Sequence, residues 1–288
     1  MATTAFVFAL SRATGDPRLL FLDQYSTQEQ WDAWGKQMGL DRPLLAQYAT
    51  WVMDAVRGDF GQSLSQRTNS LSVIAARVPA TLQLALGAFT FAMLVGLPLG
   101  VLSAVKRGSM VDYLGRAVAL FGQALPPFWL GIMLILIFAV KLGWLPTSRH
   151  GGVEHFILPS ITLGWLAASG ILRLVRSSML EVLDSEYVKL ARAKGVGRLS
   201  IVWKHAFRNA ILAPLTYASL LLASLITGAV VTETVFAWPG LGRLAVQSVY
   251  ANDFPVITGV VLLFTVVYVG MNFLVDVAYA YFDPRIRY

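Results

Sequence analysis

The sequence predicts an all-α integral membrane protein: a six-helix bundle with a truncated first helix, five complete spans and an extracytoplasmic helical segment. Three observations predict this class. Hydrophobic residues make up 56% of the 288 and charged residues only 14%, against roughly 25% charged in soluble domains. Five stretches carry no charged side chain over the length that a membrane helix needs. The Lys and Arg residues concentrate in alternate connecting segments.

The five uncharged stretches define the spans. They lie at 78–105, 117–140, 156–172, 209–232 and 254–275. A helix needs about 20 apolar residues to cross the hydrocarbon core, with a range of about 17–25. A charge at the centre of such a helix costs about 2.5–3.5 kcal/mol, so its absence is informative. Prolines inside these stretches are expected to kink or bound the helices, at Pro98, Pro126, Pro127 and Pro159.

Residues 1–11 are uncharged but too short to span, because eleven helical residues rise only about 16 Å. They lack the charged start and small-residue cleavage site of a signal peptide. We expect them to form the outer end of a partial first transmembrane helix. A short surface anchor is the alternative.

The positive charges predict the orientation. Segments 106–116, 173–208 and 283–288 hold 13 Lys and Arg in 53 residues, whereas the remaining segments hold ten in 102 residues, matched by ten Asp and Glu. Because Lys and Arg mark cytoplasmic loops, we expect the C-terminal tail 283–288 to be cytoplasmic and residues 12–77 to lie outside. The basic inner face and the absence of cysteine suit a bacterial plasma membrane.

The outer segment 12–77 predicts a small helical element. Ser26 and Glu29 fit a capping box before one helix. Asp41 is expected to cap a second helix that has Pro43 in its first turn. The segment is either a structural cap or a docking surface for an outer partner.

The inner segment 181–208 predicts a short, basic, capped helix. Asp184 or Ser185 can cap it, acidic residues precede it and basic residues end it, as the helix dipole favours. Gly195 can take the left-handed position after the helix, and Ser200 is expected to cap the helix that follows. The residues alone are compatible with two alternatives. The segment is either a solvated loop or a helix that docks in a groove of another protein.

This segment resembles the coupling loop of binding-protein-dependent ABC importer permeases of the dipeptide/oligopeptide/nickel type. The matching residues are Glu186-Tyr187-Val188, Ala191-Arg192-Ala193-Lys194-Gly195, His205-Ala206 and Arg208-Asn209-Ala210. Further fragments match in order over about 230 residues: Gly58-Asp59-Phe60-Gly61-Gln62-Ser63, Pro79-Ala80-Thr81-Leu82, Gly96-Leu97-Pro98-Leu99-Gly100, Leu158-Pro159-Ser160, Arg176-Ser177-Ser178-Met179, the stretch Glu233 to Gly242, and Asp283-Pro284-Arg285-Ile286-Arg287. The arrangement resembles the first permease of a pair. Lys189, Leu190 and Arg208 depart from the general importer motif. The peptide-type subfamily tolerates these departures.

The resemblance implies the protein's partners. A second homologous permease completes the pathway, two cytoplasmic ABC ATPases bind ATP and Mg²⁺, and an extracytoplasmic solute-binding protein delivers the substrate. It also assigns the contact with the ATPases to Glu186, Tyr187, Ala191, Arg192, Ala193, Lys194, Gly195, His205 and Arg208. Peptides are the expected substrate, and nickel complexes or other small solutes are the alternative.

Polar residues near the spans are candidates for the transport pathway. Glu233, with Trp238, Pro239 and Gly240, either orders an outer gate or forms a structural pair or cap. A second set of polar side chains is expected either to line the pathway or to form hydrogen bonds between helices. Each such hydrogen bond contributes about 0.6 kcal/mol. The set comprises Gln83, Gln123, Thr162, Thr227 and Asn272.

Other functional classes lack their residues. The chain has no G-x-x-x-x-G-K-[ST] phosphate loop, so ATP is expected on partner chains and no cofactor on this one. It shows no Ser/His/Asp or metal constellation, so it is not expected to be an enzyme. The +7 charge is not spread over a polar surface, which argues against nucleic acid. His150 and His155 are more typical of a loop than of a metal site, and no metal is expected. A stand-alone secondary transporter or channel is the alternative of another class.

Overall fold

A computed structural model describes residues 27–37, 39–148 and 151–282, together with Ala5, Phe6, Phe8, Ala9 and Arg18. Within this part the backbone is almost entirely helical, and its one β feature is an isolated bridge between residues 62 and 69. The predicted all-α class is confirmed. The predicted partial helix 1–11 falls largely, and the tail 283–288 wholly, outside the described residues.

We number the described helices in chain order. They are α1 (Gln28–Gln37), α2 (Leu44–Val56), α3 (Ser70–Ala75), α4 (Val78–Val105), α5 (Met110–Ala124), α6 (Pro127–Lys141, π-helical over Ile135–Lys141), α7 (Glu154–Leu183), α8 (Glu186–Ala193), α9 (Arg198–Ala210, π-helical over Ile201–Phe207), α10 (Leu212–Thr227), α11 (Val230–Val235), α12 (Leu241–Tyr250) and α13 (Phe254–Phe282). Within the described part of the chain, three stretches are long and apolar enough to cross a membrane unbroken. They are 70–105, which includes α3 and α4, Glu154–Leu183, which is α7, and 254–274 within α13.

Two of the five predicted spans are not continuous helices. The stretch 117–140 is divided between α5 and α6, which meet at an angle of 110°, and α9 bends by 51° into α10. The first break lies at Leu125, which is extended with ψ 124°, because a residue before proline avoids the helical region. Pro127 then begins α6, where its missing N–H costs little.

The other two prolines do not bound their helices, and a kink at either one stays a prediction. Pro98 lies inside α4 and Pro159 inside α7, and neither helix ends there. Membrane helices tolerate such prolines when neighbouring groups satisfy the freed backbone carbonyl. Only the pair at 126 and 127 bounds a helix among the prolines that the sequence singled out.

The chain divides into two compact units, of which the first comprises 1–79 and 243–266.

The predicted capping box at the start of α1 is shifted by one residue. The Thr27 N–H donates to Gln30 Oε1 at 2.9 Å, and the Gln30 N–H donates to Thr27 Oγ1 at 3.4 Å. The predicted cap of α2 by Asp41 is wrong. Pro43 itself occupies the N-cap with ψ 142° and no side-chain hydrogen bond.

The second unit comprises 80–242 and 267–288 and contains the largest apolar core. Within it α4 approaches α7 so closely that two glycines of α4 leave no room for a side chain. A Cβ on Gly96 would lie 2.9 Å from Ile171, and one on Gly100 would lie 2.7 Å from Val175. Small residues at this spacing are the usual way in which membrane helices pack closely. The contact holds α7 in place, and α7 leads directly into α8.

Candidate functional site

The coupling segment, which we define as residues 181–208, carries the short helix α8 on its surface. Val188 is fully buried in the core of the second unit, together with Leu183, Ile201 and Ala206. Most of the other side chains of α8 are exposed. The helix is therefore anchored by one apolar residue and presents its remaining faces outward.

The end of α8 is fixed by a Schellman motif around Gly195, as the sequence predicts. Gly195 has φ +80°, a left-handed conformation that glycine adopts without steric cost. The Gly195 N–H donates to the Arg192 carbonyl at 3.0 Å, and the Val196 N–H donates to the Ala191 carbonyl at 3.1 Å. These two bonds satisfy carbonyls that a helix end leaves open. The chain direction after α8 therefore depends on this glycine.

The start of α8 is not capped as predicted. Ser185 occupies the N-cap, but its hydroxyl donates backward to the Val182 carbonyl at 2.5 Å. Asp184 instead lies 3.6 Å from Arg107, and both side chains are about two-thirds exposed or more, at 71% and 67%. Ser200 does not cap α9 either, because α9 begins at Arg198 with Gly197 as its N-cap.

Tyr187, His205 and Asn209 join α8 to α9. The Tyr187 hydroxyl donates to the His205 carbonyl at 3.3 Å and accepts from Asn209 Nδ2 at 2.9 Å, and Nδ2 also lies 3.0 Å from that carbonyl. The residues that the sequence grouped here by resemblance are thus brought together. The bonds use the His205 backbone, so its imidazole plays no part in them.

The charged groups of the coupling segment are mostly solvated. Lys189 pairs with Glu186 at 2.7 Å, but the two side chains are 57% and 88% exposed, and such pairs contribute about 0–1 kcal/mol. Ala193, Lys194 and Arg208 are exposed. Among apolar residues, Leu190, Leu199 and Trp203 are also exposed, at 56%, 76% and 54%.

Glu233 is fully buried in the second unit at the end of α11. The Thr81 hydroxyl donates to Glu233 Oε1 at 2.7 Å and accepts the Leu241 N–H at 2.7 Å. One hydroxyl therefore joins three segments of the chain. A Cβ on Gly240 would overlap the Glu233 carboxylate, so the loop approaches this acid as closely as its backbone permits.

Trp238 holds the same loop in place. It is fully buried, and its indole Nε1 donates to the Ala80 carbonyl at 2.8 Å. Its backbone N–H donates to the Glu233 carbonyl at 2.8 Å, and its ring meets Phe156 edge-on at 4.7 Å. Pro239, the next residue, is half-buried. The four predicted outer residues thus lie together in one ordered cluster.

The predicted pathway residues are not one cluster. The hydroxyls of Thr162 and Thr227 and the amide of Asn272 bond carbonyls of their own helices, at 2.8, 3.3 and 2.9 Å. Gln83 is exposed. Gln123 accepts from Arg173 at 3.1 Å between α5 and α7. It also lines, with Pro127, Tyr217 and Ser224, a cavity of about 370 Å³ beside the break between α5 and α6.

Two polar clusters were missed by the sequence analysis, and the first centres on Asp112. Its side chain is 2% exposed and receives Arg176 Nε at 2.7 Å and Nη2 at 3.0 Å. Ser103 and the Gly108 N–H also donate to it, at 2.6 and 3.0 Å. Arg176 belonged to a recognised fragment, but its partner lies 64 residues away and no local pattern joins them.

The second cluster, in the first unit, centres on Asp253. Ser63 and Ser65 donate their hydroxyls to one carboxylate oxygen at 2.5 and 2.7 Å, and the Ser65 N–H donates to it at 3.1 Å. Burial raises the pKa of Asp253, but these hydrogen bonds outweigh burial and leave the pKa below its ordinary value. The recognised fragment that ends at Ser63 therefore has a structural partner 190 residues away.

The histidine pair gives no metal site among the residues that the structure describes. His155 lies 3.3 Å from Glu154, and His150 is outside the described residues. In the same part of the chain, no group of three or more His, Asp or Glu side chains is arranged to hold an ion.

Comparisons with known proteins agree on one family. Residues 96–288 match the family described as "Binding-protein-dependent transport system inner membrane component". The glutathione transport system permease protein GsiC of Escherichia coli (strain K12) is 40% identical over 274 residues, which cover 95% of this chain and 90% of GsiC. The oligopeptide transport system permease protein AppB of Bacillus subtilis (strain 168) is 38% identical over 303 residues, covering 100% and 95%.

A solved structure supports the fold. An inward-facing structure of the MetNI methionine ABC transporter has a chain that superimposes with a TM-score of 0.59 at 26% sequence identity. The match covers 72% of this chain and 94% of that one. The helical arrangement of this chain is thus similar to that of an ABC transporter permease.

Proposed function

Since this chain belongs to the family of binding-protein-dependent transport system inner membrane components, we propose that it passes peptides and couples their passage to separate ATPases. It is an ABC importer permease and a multi-pass membrane protein. The proposal concerns its substrate, its partners and the way in which energy reaches it. ATP and Mg²⁺ would bind to the partner ATPases and not to this chain.

The exposure of the coupling segment carries the proposal. Leu190, Leu199 and Trp203 are each more than half exposed beside basic residues. Apolar anchors surrounded by charge are typical of protein–protein contacts. With Val188 buried beneath it, α8 is held firmly enough to transmit a push from a partner to α7 and α9. The docking interpretation is therefore favoured over the solvated loop.

The relatives favour a peptide substrate. One is named for glutathione transport and another for oligopeptide transport, and glutathione is itself a small peptide. We therefore assign peptides to this chain and leave peptide length to the solute-binding protein that would deliver them. A nickel-complex importer has no specific support among the described side chains.

The proposed assembly has five chains or more. It contains this permease, a second homologous permease, two ABC ATPases and an extracytoplasmic solute-binding protein. The basic coupling segment faces the cytoplasm by the positive-inside rule. The C-terminus would then be cytoplasmic, and the Glu233 cluster would lie toward the outer side as a candidate gate.

The experiment is purification of the tagged chain from its native membrane in mild detergent, with identification of the co-purifying proteins by mass spectrometry. We expect a second permease and one or two phosphate-loop ATPases. Recovery of the chain alone, while ATPases are detected in the unpurified membrane, would overturn the assembly.

A variant pair tests the docking surface in the same preparation. Leu190→Gln should lower ATPase recovery about fivefold to thirtyfold, since an apolar anchor contributes about 1–2 kcal/mol at an interface. Lys189→Gln is the matched control, because Lys189 pairs only with exposed Glu186. Wild-type ATPase recovery in Leu190→Gln would remove α8 from the interface.

A further inference from the structure

A cavity of about 440 Å³ opens where α4 and α7 end, entirely within the second unit. This volume lies within the range of about 300–1,000 Å³ that small-ligand pockets occupy. Two arginines and five aliphatic side chains line it: Val105, Leu183, Arg192, Val196, Arg198, Ile201 and Val202. The cavity thus combines cationic groups with apolar walls.

Each of the two guanidinium groups contacts the carbonyl of the last residue of a helix. Arg192 Nη2 lies 3.5 Å from the Leu183 carbonyl, at the last residue of α7. Arg198 Nη2 lies 3.4 Å from the Val105 carbonyl, at the last residue of α4. Neither guanidinium lies within 4 Å of a carboxylate of any residue that the structure describes. Each therefore keeps donors that a ligand can use.

The surroundings add positive charge and little that would neutralise it. Residues 173–208 contain eight Lys and Arg but only three acids, which are Glu181, Asp184 and Glu186. Asp184 pairs with Arg107, Glu186 pairs with Lys189, and Glu181 is exposed. Because none of these acids lines the cavity, an anion is the ligand that it suits. Guanidinium forks bind phosphate through paired, charge-assisted hydrogen bonds.

The position of the cavity identifies the source of the phosphate. Helix α4 has 28 residues, so its ends are about 42 Å apart. A bilayer with its headgroups is about 40–45 Å thick. A helix of this length standing across the bilayer in the inferred orientation would place Val105 at the level of the cytoplasmic headgroups. Basic pockets between membrane helices on the cytoplasmic side bind anionic lipid headgroups.

We propose that Arg192 and Arg198 bind the phosphate of an anionic phospholipid of the cytoplasmic leaflet, with the aliphatic walls of the cavity against its glycerol and upper acyl groups. The site adjoins the turn after α8. A bound lipid would thus contact the coupling segment directly. The proposal requires the chain to span a bilayer in the inferred orientation but does not require α8 to dock on an ATPase.

The test measures lipid binding directly. The purified complex is exchanged into nanodiscs of phosphatidylcholine with phosphatidylglycerol, then extracted, and its retained lipids are counted by native mass spectrometry. We expect the wild type to retain phosphatidylglycerol selectively and Arg198→Gln to retain about tenfold less, since one of two guanidinium forks is lost. Lys204→Gln, which removes the same charge from an exposed residue outside the cavity, should retain lipid like the wild type.

Three results would overturn the proposal. The first is equal phosphatidylglycerol retention by Arg198→Gln and the wild type. The second is complete displacement of the lipid by millimolar inorganic phosphate, which would make a soluble anion the ligand. The third is loss of ATPase subunits in Arg198→Gln with lipid retention unchanged, which would make the cavity part of a protein interface.

Discussion

Thr81 donates its hydroxyl to the buried carboxylate of Glu233 at 2.7 Å, across 152 residues of sequence. The same hydroxyl accepts the Leu241 N–H. Thr81 thus fastens the start of α4 to both ends of the loop that carries Trp238. Replacement of this one small side chain removes a hydrogen bond from each of two buried groups.

Thr81→Val should therefore destabilise the protein by about 1–3 kcal/mol, because it removes both of these buried hydrogen bonds. The measurement is thermal unfolding of the purified protein in detergent. Thr162→Val is the control, because Thr162 is equally buried but bonds only a carbonyl of its own helix. Similar losses in the two variants would show that the connection through Thr81 has no special weight.

Gly240→Ala should disturb the Glu233 cluster from the opposite side. The new methyl group would overlap the carboxylate, and overpacking of this kind costs about 1–3 kcal/mol. We expect lower thermal stability and slower peptide uptake in vesicles. Gly270→Ala, at a position with open space around it, should lose neither. Normal stability in Gly240→Ala would mean that the loop shifts freely, contrary to the cluster described above.

Gly195 should be required for coupling because of its φ of +80°. Proline cannot adopt this angle, whereas asparagine tolerates it. We expect Gly195→Pro to assemble with ATPases that hydrolyse ATP without driving uptake, and Gly195→Asn to retain most uptake. Uptake and ATP hydrolysis are measured together in reconstituted vesicles. Wild-type uptake in Gly195→Pro would remove the turn from the coupling mechanism.

Asp253 should stabilise the protein only while it is ionised. Its pKa in the folded protein lies below the ordinary value because Ser63 and Ser65 donate to the carboxylate more effectively than burial opposes its charge. The stabilisation is therefore complete above the unfolded pKa of about 3.9 and is lost as pH falls through the folded pKa.

Asp253→Asn tests this pH dependence. We expect a loss of about 1–3 kcal/mol at pH 7, which shrinks below pH 4 as the wild-type carboxyl takes up its proton. Unfolding is followed by tryptophan fluorescence from about pH 2 to pH 7.5, so that the range includes the fall through the lowered pKa. Asp41→Asn, at an exposed position, should leave the free energy of unfolding unchanged over the whole pH range. A loss that does not change with pH would show that packing, and not the ionised carboxylate, is responsible.

Arg176 and Asp112 should behave as one unit in a double-mutant cycle. Arg176→Met leaves a nearly buried carboxylate without its main partner, which costs about 3–5 kcal/mol. Adding Asp112→Asn should recover part of that loss. Arg173→Met is the control, since exposed Arg173 makes one hydrogen bond to Gln123. Strict additivity in the free energy of unfolding would contradict the pairing.

The sequence predicted those features that depend on neighbouring residues. The uncharged stretch 78–105 coincides with α4, and the glycine after α8 takes the left-handed position expected of it. Capping was predicted less well, because Asp41, Ser185 and Ser200 each have the chemistry of a cap and none forms one. A cap depends on the backbone angle at one residue and on the direction of its side chain: Ser185 occupies the N-cap, but its hydroxyl donates to the Val182 carbonyl. Composition determines neither.

Features that depend on distant residues could not be predicted. Nothing near Asp253 in the sequence points to Ser63, and nothing near Asp112 points to Arg176. The roles of the coupling segment, the Glu233 cluster and the polar pathway candidates remain predictions. Their residues were selected by resemblance and by type, and the structure describes their positions but no partner or substrate.

The break at Leu125 has a consequence for water. A helix that ends leaves its last four carbonyls without partners in the helix, and hydrocarbon supplies none. Helix α6, with 15 residues, rises only about 22 Å and is too short to cross a hydrocarbon core of about 30 Å. The cavity beside Gln123 and Pro127 is where hydration of this backbone becomes possible. A stretch that hydropathy counts as one dry span is thus two short helices, and the backbone groups where they meet need partners from protein or water.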